Sequence, residues 1–146
     1  MAAAKRNQRQ AVEKAIVKYA LALPGAREDF PWGERVAKVG KKVFVFFGRP
    51  ETSEFGMSVK LPESGSLVLG FPFASPTGYG LGKSGWVSLQ FGSRDRVPPL
   101  EVLCAWIEES YRAVAPVRMA KTLGKPQGVS PRPKQRRRLK RARSKQ

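Results

Sequence analysis

Lys83 sits in a glycine-rich run, Tyr79-Gly80-Leu81-Gly82-Lys83-Ser84-Gly85, that leads directly into Trp86. Glycines let a backbone approach phosphate closely, lysine supplies a cation, and a neighbouring aromatic ring can stack on an unpaired base or pack against a sugar. That constellation suits a nucleic acid. The same residues also suit plain structure, with Tyr79 and Trp86 packed on a sheet and Lys83 solvated, and the sequence leaves both readings open. Gly80-Leu81-Gly82-Lys83 is no Walker loop, because the longer glycine spacing and the strand-to-helix setting are missing.

The remaining reactive side chains offer little. The chain contains no histidine, so imidazole acid–base chemistry and a Ser/His/Asp arrangement are ruled out. Its one cysteine, Cys104, has no partner for an internal disulfide, and no cluster has zinc-ligand spacing. Beside Leu103 and Ile107 it reads as a small hydrophobe and a poor nucleophile. Glu28, Asp29 and Glu34 form the only local acidic cluster outside the helices, and Glu108-Glu109 lie on the last one. Clustered oxygens can hold a hard cation, but solvated acids, or intramolecular partners for Arg27 and Arg35, fit better here. The expectation is a protein with no catalytic residues, no metal and no cofactor.

These residues must be positioned by a small set of elements. Val12, Ala15, Ile16, Tyr19, Ala20 and Leu23 fall at helical spacing, which predicts an amphipathic helix over Gln8 to Leu23, ended by Pro24-Gly25. Arg35 to Val39 and Lys42 to Phe47 are β-prone runs around Gly40-Lys41, a hairpin in which Phe44, Phe46 and Val39 compete for the core face. Phe55, Met57 and Val59 alternate with polar residues, as in a strand covered on one side. Pro62 to Leu69 suits a first helical turn weakened by glycine, and Phe71 to Gly82, broken by Pro72, Pro76 and three glycines, reads as a loop. Trp86 to Phe91 is a strand with Val87, Leu89 and Phe91 on one face and Trp86 on the other. Pro98-Pro99 then opens a second amphipathic helix carrying Leu100, Leu103, Ile107, Tyr111 and Val114, closed by Pro116. Two helices and a largely antiparallel sheet make an α+β layer architecture.

The order of these motifs resembles the MmcQ/YjbR family of small bacterial proteins. The resemblance rests on Leu23-Pro24-Gly25, Phe30-Pro31-Trp32-Gly33, Lys38-Val39-Gly40-Lys41-Lys42-Val43-Phe44, the run from Tyr79 to Leu89, Val97-Pro98-Pro99-Leu100 and Ile107-Glu108-Glu109-Ser110-Tyr111, and covers most of Val12 to Leu123. It implies a compact frataxin-like, or CyaY-like, two-layer fold and a DNA-binding role. It also implies a turn at Phe30 to Gly33 with Trp32 capping the core, and a short helix within Pro62 to Leu69. One departure matters: many relatives carry a histidine beside the tyrosine where this chain has Gly80.

Charge carries the partner argument. The formal net charge is +17, and eleven of the 28 basic residues fall between Lys121 and Lys145 with no acid among them. The rest of the chain keeps 17 basic against 11 acidic residues. Such a segment cannot bury enough surface to offset its ordering entropy, so residues 1–123 are expected to form one domain and 124–146 a basic disordered tail. Arg132, Lys134, Arg136, Arg137, Arg138, Lys140, Arg141 and Arg143 would meet phosphates. Lys83, Arg94 and Arg96, on the loops flanking the Trp86 strand, would orient the body, with Tyr79 and Trp86 beside them. DNA is favoured and RNA is possible, since phosphate contacts scarcely separate the two. The alternatives are a ribosome-associated protein, or a protein-interaction or regulatory module whose tail is incidental. An exposed patch of Phe71, Phe73 and Tyr79 would favour that module. With neither a signal-like apolar run nor a membrane-length segment, the expected setting is a cytoplasmic monomer.

Overall fold

The computed structural model describes residues 2–48, 55–78, 80–92 and 95–123, and the side chains of all of these except 2–7 and 32. The expected tail, residues 124–146, lies outside them, as do Tyr79 and Arg94. Helix α1 (Ala2–Leu21) is followed by strand β1 (Ala26–Asp29), a 3-10 turn at Pro31–Gly33, and the hairpin β2 (Arg35–Val39) and β3 (Lys42–Gly48). Then come β4 (Phe55–Lys60), the short helix α2 (Gly65–Val68), β5 (Ala74–Pro76), a 3-10 turn at Leu81–Ser84, β6 (Trp86–Phe91), α3 (Leu100–Val114) and α4 (Val117–Lys121). The strands form one sheet in the order β1-β2-β3-β4-β6-β5, every neighbouring pair antiparallel.

Helices α1 and α3 pack together on one face of this sheet, which makes two layers and an α+β fold. Ile16 and Ala20 from α1 and Leu103, Ile107 and Tyr111 from α3 close over Val39, Val45, Val59, Val87 and Leu89. Burial of so many aliphatic and aromatic side chains supplies the main driving force. Among the described residues, no helix is long and apolar enough to cross a membrane.

Two strands escape sequence reasoning. β1 is Ala-Arg-Glu-Asp, poor in strand formers, and it exists because cross-strand partners hold it on the edge of β2. Arg35 pairs with Glu28 at 3.1 Å, Lys38 with Asp29 at 3.3 Å, and the Arg27 guanidinium donates to the Gly40 carbonyl at 2.6 Å. β5 lies within the stretch read as a loop. Pro76 is tolerated there because β5 is an edge strand.

The competition between Phe44 and Phe46 is decided by a bulge. Ala37 pairs with Val45 but Lys38 with Val43, so Phe44 is an extra residue on β3 and turns to the core face together with Val45. There its ring meets Tyr111 edge-on at 5.2 Å. Phe46 falls on the opposite, helix-free face. The bulge also loosens β3 from β4, whose register holds only at Val45↔Val59 and Phe46↔Ser58. Ser110 of α3 closes that seam: its buried hydroxyl donates to the Phe44 carbonyl at 2.5 Å and accepts from the Lys60 N–H at 2.8 Å.

Candidate nucleic-acid interface

The lysine loop is a tight turn rather than an open cradle. Gly80 (φ 79°) and Gly85 (φ 93°) take the left-handed conformation at its two ends, which glycine adopts without a Cβ penalty. Its backbone donors are already engaged. The N–H groups of Leu81, Gly82, Lys83 and Gly85 donate to the carbonyls of Gly78, Thr77, Gly80 and Gly82. What the loop offers an anion is therefore the exposed Lys83 side chain, not a nest of amides.

Trp86 corrects the expectation of base stacking. It is only 8% exposed, and its ring stands against Phe46 at 5.4 Å and 63°, so packing holds it. Arg96 is exposed, but it follows the far end of β6 from Lys83. Six strand residues separate the two loops by roughly 20 Å at about 3.3 Å per residue, so they form no single site. The other expected residues, Tyr79, Arg94, Arg132, Lys134, Arg136, Arg137, Arg138, Lys140, Arg141 and Arg143, lie outside the described residues.

Topology assembles a different basic group around Lys83. Antiparallel pairing puts the start of β1, the β2–β3 turn, the end of β4 and the start of β6 at one end of the sheet. That end carries Arg27, Lys38, Lys41, Lys42, Lys60 and Lys83. Four strand spacings of about 4.8 Å make the row roughly 19 Å long. Helix α4 extends it, since Met119 lies against Gly25 just before β1, and Arg118 and Lys121 on that helix are exposed.

Acids there are fewer than bases: Asp29, Glu109 and the exposed Glu63 just after β4. Lys38 is paired with Asp29, and the Asp29 carboxyl is held below its usual range by the Phe30 backbone N–H and then by Lys38. Glu109 also lies close, but one of its oxygens accepts the N–H groups of Glu63 and Ser64 at 2.8 and 2.9 Å. The opposite end is mixed. Arg9 spends its guanidinium on the carbonyls of Phe91, Gly92 and Asp95, and Arg35 on Glu28. Sequence reasoning missed Lys41, Lys42 and Lys60 because their convergence depends on β4 pairing with β6 across the intervening segment. Their signal was a lysine at each predicted strand end.

Other candidates settle locally. The turn at Pro31–Gly33 forms as expected, with the Arg35 guanidinium 5.7 Å from the centre of the Phe30 ring; the Trp32 side chain lies outside the description. Cys104 is half-buried, and burial followed by the nearby Glu101 charge pushes its thiol pKa up, away from the reactive thiolate. Among the described residues, no group of three or more His, Cys, Asp or Glu could hold a metal ion.

No curated protein matches this chain. Residues 21–113, from the end of α1 almost to the end of α3 and well over half of the sequence, match the YjbR family, and the chain belongs to that family.

Proposed function

We propose that this protein is a cytoplasmic, monomeric and non-catalytic nucleic-acid-binding protein that grips the phosphodiester backbone, DNA in preference to RNA, with little reading of sequence. The observation that carries this is the row of Arg27, Lys41, Lys42, Lys60 and Lys83 along one end of the sheet, extended by Arg118 and Lys121 on α4. At one phosphate per about 3.4 Å of axis on each strand, a row of roughly 19 Å spans five or six phosphates of one strand. The test is a salt series on the full chain and on a Lys41→Gln, Lys42→Gln, Lys60→Gln, Lys83→Gln variant, with DNA and RNA of one sequence. Each lost phosphate contact removes about 0.9 from the log–log salt slope, so the variant's slope should be shallower by roughly 3 to 4. An unchanged slope removes the body from the interface.

A second reading has an observation of its own. Leu67 (66% exposed), Leu69 and Phe71 (42% exposed) form an apolar surface on which Phe73 stacks against Phe71 at 5.1 Å, with Trp106 at 6.5 Å. The stretch 61–82 contains no lysine or arginine in a chain of 28 basic residues. Such a surface suits a protein partner rather than a polyanion. A partner would shield Leu67, Phe71 and Trp106 from oxidative labelling in extract, and unchanged labelling removes this reading.

A further inference from the structure

The helix-free face of the sheet carries features that phosphate binding does not use. Along β4 and β6 that face presents Ser58 and Lys60, then Trp86, Ser88 and Gln90, with Phe46 of β3 beside them. The Ser58 and Ser88 hydroxyls lie 2.8 Å apart, and Thr77 after β5 extends the chain to Ser88 at 2.9 Å. Each hydroxyl has one donor and two acceptor positions, so the ladder keeps capacity to spare. Beside it opens a recess of about 170 Å³ lined by Glu34, Phe46, Ser58, Ser88 and Gln90. Gly48 and Gly56 also line it and project no side chain into it.

The size and chemistry of this recess are selective. It is smaller than the roughly 300–1,000 Å³ of a drug-sized pocket, which leaves room for one flat heterocycle. Phe46 supplies an aromatic wall, and its edge-on contact with Trp86 at 5.4 Å keeps that wall in place. A carboxylate at the lining, Glu34, repels phosphate but accepts hydrogen bonds from a neutral ring, and Gln90 both donates and accepts. Lys60 stands two residues beyond Ser58 on the same face of β4, about 7 Å away. A phosphate joined to a base in the recess would therefore reach the basic end of the sheet.

We propose that this recess takes one unpaired nucleobase, so that the preferred ligand is a single strand, with its base in the recess and its phosphates on the lysine row. This rests on the nucleic-acid reading above and names its substrate class. Because the Glu34 carboxylate offers only acceptors, guanine, whose adjacent N1–H and exocyclic amine can donate to both of its oxygens, is favoured over thymine or uracil, which offer the single N3–H.

The test uses the full chain, a labelled mixed-sequence single-stranded DNA, its duplex, and the same single strand with abasic positions that preserve every phosphate. Gln90→Ala, at an exposed position, is the principal variant. Ser88→Val, which removes the central hydroxyl while retaining strand propensity, is the second. Expected are tighter binding to the single strand than to the duplex at equal salt, and a loss of roughly tenfold on the single strand for either variant. The salt slope should stay unaltered, and the abasic strand should bind wild type and variants alike. Equal affinity for single strand and duplex, variants that match wild type, or a variant defect that persists on the abasic strand would each overturn the pocket. If wild type bound no nucleic acid at all, the broader reading would fall with it; if it bound while the variants changed nothing, only the pocket would.

Discussion

Replacing Ser110 by alanine should damage this protein far more than the loss of one small hydroxyl suggests. The Ser110 side chain is fully buried, and it satisfies two backbone groups at the point where the Phe44 bulge leaves β3 and β4 without ladder hydrogen bonds. Alanine would leave the Phe44 carbonyl and the Lys60 N–H without that partner. An unsatisfied buried group costs about 1–3 kcal/mol, so the pair costs about 2–6, reduced by roughly 1 because a hydroxyl is no longer desolvated. The expected loss is about 1–5 kcal/mol, a fall in Tm on the order of 10 °C. Urea titration followed by far-ultraviolet circular dichroism measures it, with an unchanged m-value showing that the same folded state is being unfolded. Ser58→Ala, on the half-open face, is the control and should lose under about 1 kcal/mol. The consequence reaches the interface, because the Lys60 backbone is what Ser110 holds against β3. At a temperature where Ser110→Ala is fully folded, it should weaken nucleic-acid binding while keeping the salt slope of the wild type. A loss below about 1 kcal/mol would refute the reasoning, showing that water or a strand shift satisfies both groups.

Two further outcomes can be measured directly. Gly85→Ala should cost about 1–2 kcal/mol from left-handed backbone strain alone, because a Cβ there approaches nothing closer than Pro62 at 3.9 Å; no change in urea midpoint would mean that the turn is not held in this conformation. Alkaline stability should fall steeply, because burial raises the pKa of both Tyr19 and Tyr111 above the ordinary 10.0, Tyr19 further through the Glu108 charge and the hydrogen bond to it. A phenol whose folded pKa is raised stabilises fully below pH 10 and loses that contribution as pH climbs toward the folded value, so the urea midpoint should be flat to about pH 9 and drop above 10. Tyr19→Phe should flatten that drop, and an equally steep fall in the variant would contradict the assignment.

Much of this was legible in the chain. The helical stripes that became α1 and α3, the glycine at the β2–β3 turn, the alternation of β4 and β6 and the proline at the start of α3 are local signals, each readable because a side chain's neighbours within a few residues decide it. Composition likewise set the strong positive charge and its concentration after Lys121. What could not be read was anything decided by a distant partner. β1 forms because Arg35, Lys38 and Gly40 bind its side chains, Phe44 faces the core because the register slips opposite Ala37 and Lys38, and Trp86 is packed against Phe46 rather than open to a base. The lysine row is the clearest case. Lys41, Lys42, Lys60 and Lys83 are spread along 43 residues of sequence and meet only because antiparallel pairing returns each strand to the same end of the sheet. Local physics therefore determined the two long helices, the central strands and the strong positive charge, whereas the tertiary structure alone decided the edge strands and where on the surface those charges converge, since register is set by pairing between segments far apart in the chain.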